Sequence, residues 1–113
     1  MRRELSSAAL ELVANRFRVL GAASRLQLLQ ALRAGEQSVS DLIAATGLSQ
    51  ANASRHLQTL TAAGILARRR DGLKIIYSIA DPDILSLCEH VCGSLQRRLE
   101  ASTKALAAPT ARG

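Results

Sequence analysis

The sequence predicts a mainly α-helical protein with one small β-hairpin, in the order α-α-α-α-β-β-α. Apolar residues recur every three or four positions over most of the 113 residues, which is the spacing of amphipathic helices. The spacing changes after Gly64, where two strand-like stretches flank Asp71-Gly72, a favoured two-residue hairpin turn. We expect one domain over residues 1–106 and a flexible tail over residues 107–113.

Two helices are expected in the first third of the chain. The first carries an apolar stripe that includes Leu5 and Leu12 and ends at Gly21. Ser24 can cap or open the second helix, and Gly35 stops it, because glycine is common where helices end.

The segment from Val39 to Gly64 is typical of a helix-turn-helix. Ser40 can cap a short helix that Gly47 ends, and Ser49 is the expected N-cap of a longer helix. Two helices joined by about four residues that include a glycine form this motif. Together with the hairpin that follows, the segment predicts a winged helix-turn-helix.

A long last helix is expected after Asp81-Pro82, since proline is tolerated in the first turn of a helix. It carries a broad apolar stripe that a monomer of this size would leave exposed. We therefore expect the first and last helices to pair two copies of the chain as a homodimer. The expected interface residues are Leu5, Leu12, Ile84, Leu85, Cys88, Val91, Leu95 and Leu99.

The charge balance favours a polyanionic partner. Lysine and arginine outnumber aspartate and glutamate by 15 to 9, which gives a net charge of +6 and a pI near 10.7. Nucleic acid and an anionic membrane surface both fit this excess, and charge that serves solubility alone is the alternative. No apolar run approaches the roughly 18 residues of a membrane span, and we expect no signal peptide because the first residues lack its hydrophobic region. Two cysteines four positions apart form no disulfide framework, so we expect a cytoplasmic protein without a membrane partner.

Three stretches of the sequence carry a resemblance to a known family. They are Leu20-Gly21-Ala22-Ala23-Ser24-Arg25-Leu26, the segment from Gly47 to Ile65 that contains Ser54-Arg55-His56-Leu57, and Arg69-Arg70-Asp71-Gly72 with Tyr77. In these stretches the sequence resembles the ArsR/SmtB family of bacterial repressors, over about residues 12–100. The resemblance implies a homodimer that binds double-stranded operator DNA and releases it when a ligand or oxidant reaches a sensor site.

The longer helix of the motif has a polar side opposite Ala53, Leu57 and Leu60, as a rotation of about 100° per residue requires. Arginine can pair with guanine and glutamine with adenine in the major groove, and polar residues of the first turn can reach phosphates. A solvated helix surface is the alternative for this side, and a packing or capping role is the alternative for its histidine. The expected DNA-binding residues of this helix are Ser49, Gln50, Asn52, Ser54, Arg55, His56 and Gln58.

Four cations flank the tip of the hairpin and complete the expected DNA-binding set: Arg68, Arg69, Arg70 and Lys74. Because side chains alternate along a strand, Arg69 points away from Arg68 and Arg70, so not all of them can touch DNA at once. The alternative is that these charges keep an exposed strand edge from pairing with other chains.

Cys88 and Cys92 lie one turn apart on the same side of the last helix. Two thiols at this spacing can bind a thiophilic metal or metalloid such as As(III), Cd(II) or Hg(II), with Glu89, His90 or the second protomer adding ligands. Redox or reactive-sulfur sensing is one alternative, and simple packing is another, because cysteine behaves as a small apolar residue. We predict a repressor that a thiol-reactive signal releases from its operator.

The sequence departs from two sensor patterns of the family. The helix from Ser40 to Ala45 has no cysteine, whereas arsenic and cadmium sensors often carry a cysteine-rich motif there. The last helix lacks the second histidine and the carboxylate spacing of the zinc sensors. Neither site can be transferred, so the identity of the signal stays open.

Other classes of protein fit the sequence less well. It contains no glycine-rich phosphate loop and no nucleophile with an evident base, so we expect no enzyme. An RNA-binding module would need aromatic side chains on which bases stack, and only Phe17 and Tyr77 are present. A winged helix that binds a protein partner through the same side remains an alternative.

Overall fold

A computed structural model describes residues 4–112 of the protein, with the side chains of residues 4–104. Within that range the mainly helical class with a hairpin is confirmed. The elements are α1 (Ser7–Leu20), α2 (Ala23–Ala31), a 3-10 turn (Leu32–Ala34), β1 (Gln37–Ser38), α3 (Val39–Thr46), α4 (Gln50–Ala62), β2 (Leu66–Asp71), β3 (Lys74–Ile79) and α5 (Asp83–Arg112).

The sheet contains a short strand that the sequence analysis did not predict. β1 pairs antiparallel with β3, Gln37 opposite Tyr77 and Ser38 opposite Ile76, and the strand order is β1-β3-β2. A strand of two residues leaves no period in the sequence, so only its partner β3 defines it. It joins the hairpin to the start of α3.

The helix boundaries follow the capping residues, with one correction. Ser38, and not Ser40, caps α3: its Oγ accepts a hydrogen bond from the Asp41 amide at 3.1 Å, and an Asp41 carboxylate oxygen accepts one from the Ser38 amide at 3.3 Å. Asp41 is the third residue of the helix and completes a capping box with Ser38. Ser40 has no such partner three positions later. The predicted end of α3 is confirmed, because Gly47 has a φ of 74°, and so is Ser49 as the cap of α4.

The beginnings of α1 and α2 differ slightly from expectation. Ser6 caps α1 through its side chain, so Leu5 precedes the helix in which the apolar spacing placed it. Ala22 occupies the N-cap of α2 and offers no side-chain hydrogen bond, and Ser24 lies in the first turn.

The core of the unit that ends at Asp81 is built largely from leucines of α2, α3 and α4. The side chains with no more than 2% exposure are Leu28, Leu29, Leu32, Leu42, Ala53, Leu57, Leu60 and Ile65. Burying one leucine side chain stabilises a fold by roughly 1.5–3 kcal/mol. The apolar side of α4 is therefore fixed inward, which leaves its polar side outward.

The hairpin turn lies one residue later than predicted. Asp71 pairs with Lys74, so the two turn residues are Gly72 and Leu73, and not Asp71 and Gly72. Gly72 has a φ of 64° and Leu73 does not have a positive φ, the combination of a type II′ turn with glycine first. The shift changes the cross-strand partner of every wing residue and leaves the Leu73 side chain 100% exposed at the tip.

The second compact unit of the chain starts at Pro82 and contains α5. Ile84 is buried, whereas Val91, Leu95 and Leu99 are 48%, 65% and 69% exposed. The helix extends to Arg112, and Gly113 lies outside the described residues. The expected single domain over residues 1–106 and the flexibility of residues 107–113 stay predictions.

Candidate nucleic-acid interface

α4 presents its polar side outward, as the sequence predicted. Ala53, Leu57 and Leu60 are fully buried on one side of the helix. On the other side, the side chains of Ser49, Gln50, Asn52, Arg55 and Gln58 are exposed and that of Ser54 is half-buried. The Arg55 guanidinium donates a hydrogen bond to the side-chain oxygen Oδ1 of Asn52 at 2.9 Å, one turn earlier. This bond holds a cation beside the N-terminus of α4, where the helix dipole also attracts anions.

A groove of about 340 Å³ lies between α4 and the wing, which is the hairpin of β2 and β3. It brings together five of the predicted residues, three from the helix and two from the wing. Its lining residues are Gln50, Ser54, Gln58, Arg68 and Lys74, with Ser38, Val39, Ser40, Leu73, Ile75 and Tyr77. None of these described lining residues is acidic. Two cations, two amides and several hydroxyls line the groove. Such a groove suits a polyanion that offers phosphates to the cations and base edges to the hydrogen-bonding groups.

The four wing cations have different surroundings. Arg68 and Lys74 line the groove, and Arg70 is exposed. Arg69 faces the other side of the sheet, where its Nη2 lies 2.5 Å from Glu36 Oε1 and its Nε lies 3.4 Å from Glu36 Oε2. This two-bond pair lowers the pKa of the Glu36 carboxyl below its usual 4.5 and raises the pKa of Arg69, which Asp71 also favours. The charge of Arg69 is thus balanced mainly by Glu36, which lies outside the wing, next to β1.

His56 is joined to α2. The Arg25 Nε donates a hydrogen bond to His56 Nδ1 at 3.1 Å. Arginine has no acceptor, so the Nδ1 atom must be unprotonated and the imidazole neutral, with its proton on Nε2. Partial burial, and then the positive charges of Arg25 and Arg55, lower the pKa of His56 below its ordinary 6.5. This surrounding supports the packing alternative for His56.

Sequence reasoning missed Glu36 and the cross-element bonds of Arg16 and Arg25. Glu36 is 33 positions from Arg69, and Arg25 is 31 positions from His56. No periodicity joins residues so far apart. Arg25 does lie in a segment that resembles the family, and this was its only signal.

Cys88 and Cys92 lie one turn apart on α5, Cys88 half-buried and Cys92 exposed, and they form no disulfide. Within the described part of the chain, no group of three or more His, Cys, Asp or Glu side chains is arranged to hold a metal ion. One chain therefore offers two sulfur ligands at this position. Among the described residues, no helix has the length and apolarity that a bilayer span requires.

The two-helix motif with its outward polar side and flanking wing defines a class of protein: this is a winged helix-turn-helix module. The family of bacterial regulatory proteins called the arsR family matches residues 23–68. The chain belongs to this ArsR/SmtB family of bacterial transcriptional repressors.

Three relatives show what the chain is similar to. A probable mercury resistance operon repressor of Streptomyces lividans is 39% identical over 71 residues. The matched residues make up 63% of this chain and 57% of the relative, so the match spans little more than half of that protein. The crystal structure of AntR, an antimony-specific transcriptional repressor, has a TM-score of 0.77 and 36% identity, and the match covers 88% of this chain and 90% of that one. The solution structure of the homodimeric winged helix-turn-helix DNA-binding domain of Mb0332 from Mycobacterium bovis has a TM-score of 0.75 and 33% identity, with coverages of 88% and 94%.

Proposed function

We propose that the protein binds double-stranded operator DNA as a homodimer and that a thiol-reactive signal at Cys88 and Cys92 releases it. The observation that carries the DNA-binding part is the groove between α4 and the wing, where Gln50, Gln58, Arg68 and Lys74 converge without a carboxylate. α4 would enter the major groove, with Arg55 and Gln58 at base edges and the wing cations at phosphates.

Two predicted contacts receive a different role in this proposal. The polar atoms of Arg69 face Glu36, and Nδ1 of His56 faces Arg25. Each side chain would have to give up this bond to contact DNA, at a small cost for the half-exposed Arg69–Glu36 pair and a larger one for the partly buried Arg25–His56 pair. We therefore place Arg68, Arg70, Lys74 and the exposed polar residues of α4 at the DNA, and give Arg69 and His56 supporting roles.

The exposed apolar residues of α1 and α5 support the homodimer. Leu12 is 75% exposed on α1, and Leu95 and Leu99 are 65% and 69% exposed on α5. Exposed apolar side chains at helical spacing commonly form the interface of a homodimer. A two-fold dimer is also what sets two recognition helices about 34 Å apart, one turn of duplex. The relative from Mycobacterium bovis is homodimeric.

The donor set of α5 fits a soft ion in part. The two thiols lie one turn apart and are soft ligands of the kind that thiophilic ions prefer, and the exposed Cys92 is accessible to such an ion. A third ligand would come from a second protomer or from solvent, because one described chain offers no cluster of three. The mercury and antimony repressors among the relatives favour a metal or metalloid signal. A thiol oxidant or reactive sulfur species is the alternative signal, and a repressor in which both cysteines only pack is the other.

Operator binding under chemical challenge tests the proposal. The wild type and the Cys88→Ser/Cys92→Ser double variant would be titrated against a duplex from upstream of the protein's own gene, by fluorescence anisotropy. Each complex would then be challenged with Hg(II), antimonite, arsenite, Cd(II), peroxide and polysulfide. We expect at least one agent to release the wild type and to leave the double variant bound.

Each part of the proposal has its own contrary result. A wild type that binds no duplex at low salt would contradict the DNA-binding part. A wild type that binds and stays bound under every challenge would contradict the sensor part, and so would release of both proteins alike. The relatives are transcriptional regulators, and the absence of an enzymatic activity in this chain stays a prediction.

A further inference from the structure

We propose that Arg16 and Arg25 are positioning residues that hold the recognition helix α4 at a fixed angle to α1 and so set the half-site spacing that the dimer accepts. The inference rests on the proposed function, because spacing matters only for a dimer that binds two half-sites. The inference is drawn from three hydrogen bonds between helices, two of which join residues more than 30 positions apart in the sequence.

Arg16 joins α1 to the end of α4. Its Nη1 donates a hydrogen bond to the carbonyl oxygen of Ala63 at 2.9 Å, across 47 positions of sequence. Ala63 is the C-cap residue of α4, so its carbonyl has no partner inside the helix. The bond therefore satisfies a backbone group and fixes one end of α4 at the same time.

Arg25 joins α1 to the middle of α4. Its Nη1 donates to the carbonyl oxygen of Val19 at 2.9 Å, in the last turn of α1, and its Nε donates to His56 Nδ1 at 3.1 Å. A planar guanidinium can hold two acceptors in different directions at once, which an ammonium group does less rigidly. Val19, Arg25 and His56 thus form one chain of bonds from α1 through α2 to α4.

These bonds matter because few apolar contacts hold α1. Leu10, Leu12 and Phe17 are 52%, 75% and 53% exposed, and among its residues only Leu20 is buried. Within its own chain, a helix with so little of its surface in the core depends on these polar bonds for its angle to α4. Since α1 is an expected part of the dimer interface, a tilt between α1 and α4 would change the distance between the two recognition helices.

The first test measures spacing preference. Once footprinting has located the operator, the wild type, Arg16→Ala and Arg25→Ala would be titrated against duplexes whose half-sites are moved by about one or two base pairs, and against a single half-site. The matched control is Arg18→Ala, which removes the same charge from α1 but whose described side-chain bond goes only to Asn15 on the same helix.

We expect both variants to bind the single half-site like the wild type and to lose discrimination among the spacings. The ratio between the best and the shifted duplex should fall by about 2- to 30-fold, the range of couplings carried by side-chain networks, and Arg18→Ala should keep the wild-type ratio. Wild-type ratios in both variants would overturn the inference, and so would an equal loss on every duplex, which marks a lost contact or a lost fold. A wild type that binds no duplex would instead remove the proposed function.

A second test separates positioning by His56 from contact with DNA. His56→Asn keeps a polar group near the Nδ1 position, where Asn Oδ1 can accept from Arg25, and His56→Gln keeps one near the Nε2 position. We expect His56→Asn to retain the wild-type spacing ratio and His56→Gln to lose it. Loss of the spacing ratio in His56→Asn would overturn the place of His56 in the chain of bonds. An equal loss of affinity on every duplex in His56→Asn, but not in His56→Gln, would overturn it by assigning His56 to the DNA.

Discussion

α4 and α5 carry similar apolar patterns, and the structure treats them differently. In α4, Ala53, Leu57 and Leu60 have no exposed surface, whereas in α5 Leu95 and Leu99 are more than half exposed. The spacing of leucines is helical in both cases, so the pattern alone does not tell which helix completes the core of its own chain. α4 serves the fold through one side and is free to bind through the other. α5 retains an apolar side that a second copy can cover.

The largest effect expected from this difference is on stability. Leu57→Ala should lower the free energy of unfolding by about 2–5 kcal/mol, because it leaves a cavity in the core. The matched variant Leu95→Ala removes the same atoms from an exposed position. Urea unfolding would show a cost of this size for Leu57→Ala, and sedimentation equilibrium would show weaker dimerisation for Leu95→Ala and not for Leu57→Ala. Equal unfolding costs with unchanged dimerisation in both variants would contradict the comparison.

The next largest effect is on operator affinity. Leu95→Glu with Leu99→Glu should give a monomer, since two carboxylates would lie in the expected interface, and the loss of two-site binding should weaken operator affinity by on the order of 10²–10⁴. Sedimentation velocity would measure the association and anisotropy the affinity. Ser86→Glu adds a charge to the opposite side of α5 and should leave both unchanged. A variant that stays dimeric would place the interface elsewhere.

Local signals were sufficient for most of the fold. Gly47 and Ser49 fixed the turn of the helix-turn-helix, and the helical spacing of Ala53, Leu57 and Leu60 fixed which side of α4 is buried. Predictions failed where two possible caps, or two possible turns, lie only one or two residues apart in the sequence. Ser38 displaced Ser40 because of Asp41, and the hairpin turn moved by one residue because Gly72 suits its first position.

Long-range pairs decided what the sequence could not. The predicted set of wing cations was chosen by charge and position in the hairpin, but Glu36 balances one member of that set from outside the hairpin. In the same way, Arg25 donates a hydrogen bond to His56 from another helix, and its charge adds to burial in lowering the pKa of His56. Such pairs depend on tertiary geometry, and a single sequence holds no measure of it.

The two faces of the wing give a smaller and sharper prediction. Arg68→Ala should reduce the slope of log affinity against log salt by about one, as expected for one lost phosphate contact. Arg69→Ala should leave the slope unchanged, because Glu36 already balances that charge. The two substitutions remove the same charge from neighbouring positions, so each is the control for the other. Equal changes in slope would show that the Glu36 pair opens when DNA binds.

The smallest effect expected concerns pH. The unfolded chain binds a proton at His56 more readily than the folded chain, because burial, Arg25 and Arg55 lower the folded pKa below 6.5. The stability that this difference represents is present above about pH 6.5 and is lost as the pH falls through the lowered pKa. Glu36, lowered from 4.5, contributes a loss only in more acid solution. Between about pH 7.5 and pH 5.5, urea unfolding should therefore show a loss of stability in the wild type that is smaller in His56→Asn, which keeps an acceptor for Arg25 but cannot titrate. An equal loss in both proteins would mean that another group controls stability in this range and that the bond between α2 and α4 does not depend on a neutral imidazole.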